Sequence, residues 1–131
     1  MVVSVASQKG GTGKTSTSIS LASGLARRGK HVLLIDIDSQ ANSSKVVIPD
    51  YLNLRKENTI YTTILERQAL PVQRTTIPKL DIVPSHILLS NTDIELTTAK
   101  DHREARLKRK WTRRSSSTTT FSLTVHPPCR G

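Results

Sequence analysis

Residues 2–16 read VVSVASQKGGTGKTS. Val2, Val3, Val5 and Ala6 form a short apolar run, and Gly10, Gly11 and Gly13 follow it together with Lys9 and Lys14. The apolar run suits a buried strand, and the glycines suit a loop whose backbone N–H groups can point inward. From about Thr15 to Arg28 a helix is expected, with Ile19, Ala22, Leu25 and Ala26 on one face. Gly29 suits the position just past the helix end, after the basic pair Arg27 and Arg28.

Working outward, HVLLIDID (31–38) reads as a second strand. An unbroken apolar run is what a parallel strand covered on both faces requires. Strand, glycine loop, helix and strand make one βαβ unit, with a right-handed crossover. Residues 39–58 read as a polar loop, Thr59 to about Gln68 as a short helix, and LDIVPS (80–85) as a third strand. Asn91 or Thr92 could cap a further helix to about Lys110, with Ile94, Leu96 and Leu107 as its apolar contacts. The fold class expected is α/β, a mostly parallel sheet with flanking helices.

A glycine loop between a strand and a helix solves one problem, that of holding a polyphosphate. Backbone N–H groups and the positive end of the helix face the anion. Lys14 would reach the β- and γ-phosphates, and the Thr15 hydroxyl would sit on Mg²⁺. The ordinary loop pattern would place glycine where Gln8 stands. The sequence instead reads K-G-G-x-G-K-T from Lys9.

That variant, with its early lysine, resembles the deviant Walker A motif of the ParA/MinD family of ATPases. VLLIDIDSQAN (32–42) is similar to the family's second strand and its D-x-D-P-Q-G-N ending. LDIVPSHILLSNTDIEL (80–96) and REARLK (103–108) favour the ParA/Soj partition branch. The resemblance implies a P-loop NTPase-like sheet, ATP and Mg²⁺ as cofactors, and a homodimer in which Lys9 reaches the partner subunit's nucleotide. It implies Lys9, Lys14 and Asp38 as catalytic residues, with Asp38 positioning the attacking water. The nucleotide would be held by Gly10, Gly11, Thr12, Gly13, Lys14, Thr15 and Ser16, and Mg²⁺ by Thr15 with Asp36 nearby. Thr12, Ser39 and Ala41 depart from the family's valine, proline and glycine, and none of these removes a catalytic group.

The chain has 131 residues, 35% apolar and 3% aromatic, enough for one small domain with a modest core. Its net charge of +10 is unevenly spread: residues 1–102 carry 12 Lys/Arg and 9 Asp/Glu, residues 103–131 carry 8 and 1. A single cysteine, Cys129, excludes an internal disulfide and offers no zinc or iron–sulfur site. No apolar run is long enough for a membrane helix, no signal peptide is visible, and no C-terminal amphipathic helix offers a membrane contact. A cytoplasmic protein with no membrane partner is expected.

The chain divides at residue 110. Residues 1–110 read as the N-terminal part of a ParA-type ATPase domain, and residues 111–131, WTRRSSSTTTFSLTVHPPCRG, as a tail foreign to it, either disordered or out of frame. The family continues with a strand close to YDFIIIDCPPSLG, which carries a Walker-B-like aspartate. With codons TTG ACT GTC CAC CCT CCC TGC for Leu123 to Cys129, a frame shifted by one base reads Asp-Cys-Pro-Pro-Ser-Leu. With suitable codons the whole tail can be read in the same way as LDEKVELDYDFLFDCPPSLPG. Without a neighbouring strand, VVSVA would be an exposed apolar edge and the fragment marginally stable.

Three functions follow. One is an ATP-binding partition ATPase that uses non-specific DNA and a stimulating partner protein, as the resemblance implies. Another is a truncated, inactive fragment of such an enzyme. The last is a small basic nucleic-acid-binding protein using RLKRKWTRR (106–114), where Trp111 stands among six basic residues. Whether this chain hydrolyses ATP is left open.

Overall fold

The computed structural model describes residues 2–5, 11–65, 68–89 and 119–123, with Val2 and residues 119–123 described by their backbone alone. The elements are β1 (Val2–Val5), α1 (Lys14–Arg27), β2 (Val32–Asp36), α2 (Asn42–Val47), α3 (Ile60–Leu65), β3 (Gln73–Arg74), β4 (Leu80–Val83) and β5 (Thr119–Leu123). Single 3₁₀ turns at Tyr51–Asn53 and Lys56–Asn58 link α2 to α3. The sheet order is β1-β5-β2-β4-β3. The first four of these run parallel, and only the two-residue β3 is antiparallel, to β4.

β2 explains the architecture. All five of its residues are buried, so its two faces need two separate covers. Val32 and Leu34 join Leu80 and Ile82 of β4 beneath Ala22 and Ala26 of α1 and Val47 of α2. Leu33 and Ile35 join Val83 and Leu89 against Ile60 and Ile64 of α3. Alternation along paired parallel strands sends successive side chains to opposite faces, and the register Val32↔Leu80 and Leu34↔Ile82 keeps like with like.

α1 ends as its sequence requires. Gly29 has φ 85°, its N–H donates to the Ala26 carbonyl, and the Lys30 N–H donates to the Leu25 carbonyl. These two bonds are the Schellman arrangement, which a residue with a β-carbon enters only with strain.

One expectation is corrected: residues 39–58 are not a plain loop, since α2 and the two 3₁₀ turns lie within them. Thr119–Leu123 forms β5, which inserts between β1 and β2 and pairs with both. β1 therefore has a neighbour, and it still lies at one edge of the described sheet. The helix expected from residue 91 to about 110 lies outside the described residues.

Phe121→Pro tests the inserted strand. Proline removes a ladder N–H from a strand paired on both sides and leaves a facing carbonyl unsatisfied, at about 1–3 kcal/mol for that group alone. The expected result is a lower urea midpoint, and an unchanged midpoint would show that β5 contributes nothing to folding.

Candidate functional site

The parallel strands end together. Val5 and Asp36 both stand level with Leu123, and Ile35 stands level with Val83. In open parallel sheets, ligands bind beyond these carboxyl ends. The loop from β1 into α1 arrives here, as do the turn after Asp36 and the segment Pro84–Ser85.

Gly11 and Gly13 have φ 71° and 76°, the left-handed region that favours glycine. A β-carbon at either would meet open space, so the backbone conformation and not crowding requires glycine there. α1 starts at Lys14 with no side-chain cap and no acidic residue in its first turn. Its 14 residues put a positive end beside an exposed glycine turn, which suits an anion. Lys14 is 9% exposed, with its carbonyl accepting from Ser18 Oγ at 2.7 Å. Thr12 and Ser16 are exposed and Thr15 is half-buried. Lys9 and Gly10 lie outside the described residues.

The acidic pair is organised differently from a pair of open carboxylates. Asp36 is fully buried. Its Oδ2 accepts from the Ser44 N–H at 2.9 Å and the Ser44 hydroxyl at 2.7 Å, and its Oδ1 accepts from the Asp38 N–H at 3.2 Å. Asp38 Oδ1 accepts from the Gln40 N–H at 2.9 Å, and the Asp38 carbonyl accepts from the Ala41 N–H at 2.8 Å. Residues 38–41 are thus a tight turn, with Ala41 at φ 53°. That is the position where the family pattern has glycine, and an L-residue held there costs about 1–2 kcal/mol.

Sequence reasoning found Asp36 and Asp38 but missed Ser44, Ser85 and Tyr51. Ser44 Oγ accepts from the Ser85 N–H at 2.9 Å, and Ser85 Oγ donates to the Asp38 carbonyl at 2.6 Å. The Tyr51 hydroxyl donates to the Ser85 carbonyl at 3.0 Å. The only sequence signal was a serine closing LDIVPS, and nothing local says what it touches.

The glycine turn, the uncapped helix end and Lys14 fit a nucleotide phosphate chain with its cation. The fit of Asp36 is indirect, because both of its oxygens are already engaged inside the protein. Among the described residues no group of three or more His, Cys, Asp or Glu side chains could hold a metal by itself. No described helix is long and apolar enough to cross a membrane.

Burial pushes the Asp36 carboxyl up from 3.8 to about 6, against the opposing pull of the bonds from Ser44 and Asp38. A value raised in the folded state means that this group supports folding fully below about 3.8 and withdraws that support as pH rises through about 6. Asp36→Asn removes the titration. Measured by urea unfolding between pH 4 and 7.5, the wild type should lose about 2 kcal/mol relative to the variant as pH rises. A constant difference would show that Asp36 does not titrate in this window.

The sequence matches the AAA domain family over residues 1–117. It is 36% identical over 110 residues to the sporulation initiation inhibitor protein Soj of Bacillus subtilis, an alignment covering 82% of this chain and 42% of Soj. It is 37% identical over 97 residues to the chromosome partitioning protein ParA of Caulobacter vibrioides, covering 72% of this chain and 36% of that protein. Among solved structures, cobyrinic acid a,c-diamide synthase of Mycobacterium smegmatis with bound ADP and magnesium superposes with a TM-score of 0.77 at 27% identity, over 92% of this chain and 49% of that one. The chain spans less than half the length of the curated relatives it matches. With its glycine turn, its lysine at the head of α1 and its parallel sheet, the chain belongs to the AAA domain family, and its sequence is similar to Soj and ParA.

Proposed function

We propose that this chain carries the nucleotide-binding part of a ParA-type ATPase that acts in chromosome or plasmid partition. The observation that carries the reading is the glycine turn of Gly11–Gly13 running into the uncapped start of α1 at Lys14, in a chain 36% identical to Soj. Gly10 to Ser16 would wrap the phosphates, with Lys14 neutralising charge at their far end. Thr15 would offer its hydroxyl to Mg²⁺, the ion that supplies charge compensation on the phosphates when bound. Asp36 would act on that region from behind, by fixing the turn on which Asp38 stands. Asp38 would hold the attacking water, and Lys9 would serve the nucleotide of a second copy. Non-specific DNA and a stimulating partition protein are the proposed partners, and the cytoplasm the proposed location.

We also propose that residues 111–131 are an out-of-frame reading of the family's next strand. Two observations support this. The family match stops at residue 117, seven residues into this segment and just before β5. β5 occupies a slot flanked by two parallel strands, where an apolar run such as VLLID is the usual occupant, yet its sequence is TTFSL. Codons can also be chosen for Thr120 to Thr124 so that a shifted frame reads Phe-Leu-Phe-Asp, an apolar run ending in a carboxylate. That carboxylate would fall beside Leu123, level with Val5 and Asp36.

Two measurements test these readings. Lys14→Gln should weaken MgATP binding about tenfold to a hundredfold by calorimetry, the loss expected for one charge-assisted contact. Equal affinity in the two proteins would remove the nucleotide reading. Sequencing the coding DNA across Lys110 to Arg113 from independent template should reveal the base that restores the frame, or the motif lying intact in the shifted frame. A gene that encodes the motif in neither frame would make the tail native.

A further inference from the structure

Asp38 stands on a four-residue turn, and a turn alone does not aim a carboxylate. The structure supplies a tether from a distant part of the chain. Ser85 follows β4 by two residues, is fully buried and lies 47 positions from Asp38. Each of its polar groups holds something. Its N–H donates to Ser44 Oγ, its hydroxyl donates to the Asp38 carbonyl at 2.6 Å, and its carbonyl accepts from Tyr51. Ser44 in turn spends its hydroxyl proton and its N–H on Asp36.

We infer that Ser85, backed by Ser44, is a positioning residue that clamps the Asp38 turn to the end of β4. The inference deepens the nucleotide-site reading and rests on it for its catalytic meaning. The hydroxyl is what matters. The Asp38 carbonyl already closes its turn with the Ala41 N–H, so the fold does not need a second donor there. The N–H and carbonyl of residue 85, which join β4 to Ser44 and Tyr51, are backbone groups that any side chain leaves in place. The hydroxyl therefore adds one thing, a fixed distance between the carboxyl end of β4 and the turn that carries Asp38. The Gln40 N–H donates to the Asp38 carboxylate, so its protection reports the orientation of that carboxylate directly.

The test uses the full chain with Ser85→Ala, Ser85→Thr and Ser44→Ala, and reads amide hydrogen exchange residue by residue. In Ser85→Ala, exchange at Gln40 and Ala41 should rise at least about tenfold. Exchange across Leu33–Ile35 and Leu80–Val83 should stay as in the wild type. Ser85→Thr, which keeps the hydroxyl, should restore protection of the turn, and Ser44→Ala should loosen it by the second route. Unchanged exchange at Gln40 in both alanine variants would overturn the clamp. So would a rise spread equally over both strands, since that would make Ser85 a support of the fold alone. MgATP titration of the wild type separates the two readings. Absence of binding would fail the nucleotide site, while the exchange pattern would still decide the clamp.

Discussion

A carboxylate cut off from water must find its hydrogen bonds within the protein, and Asp36 finds three. Two come from Ser44 and one from the Asp38 N–H. Each has a structural consequence. The Ser44 bonds draw residues 42–47 into a helix against the end of β2. The Asp38 bond bends the chain sharply after β2 and commits it to a turn in which Ala41 must adopt a left-handed backbone. Desolvation still outweighs these bonds and pushes the carboxyl up to about 6. The arrangement therefore carries a cost to stability around neutral pH. What it gains is a braced carboxyl edge, where Asp38 is held on a tight turn.

The second constraint lies in the sheet. β1 and β2 are joined by α1, yet they are not neighbours. A strand must lie between them, or both would face a gap with unpaired backbone groups. β5 fills that place from the far end of the chain, in register with both partners. This makes the tail a structural matter for the site. The row through Val5, Leu123 and Asp36 lies at the carboxyl edge of the sheet, and its central member comes from beyond the family match. The open side of β1 leaves one edge of the described sheet unpaired, the kind of edge that other chains can join.

Much of this was legible in residue order, because the relevant signals are local. The apolar run of β2 announced a strand buried on both faces, and the spacing of Ile19, Ala22, Leu25 and Ala26 announced the face of α1. Gly29 marked the end of that helix through the one conformation it adopts easily. The glycines at 11 and 13 and Lys14 pointed to an anion for the same reason, since backbone freedom and charge are properties of single residues. Helix α2 was not legible. NSSKVV is short and carries no periodic stripe, and its first turn is bonded by Asp36, eight residues before Ser44 in the chain. β5 was not legible either, because Ser/Thr-rich composition argues against a core strand. Two waiting parallel strands override that argument.

The order of residues was thus enough to indicate the glycine turn at the head of α1, the parallel α/β design and the two acidic positions. Tertiary structure alone decided what those acids do. It buried Asp36 and filled its lone pairs, and it tied Asp38 to Ser85 across 47 residues. It also brought residues 119–123 between two strands from the opposite end of the chain. Periodicity and turn chemistry act over a few residues, whereas a hydrogen bond between distant segments depends on how sheet and helices pack, and no short stretch of sequence contains that information.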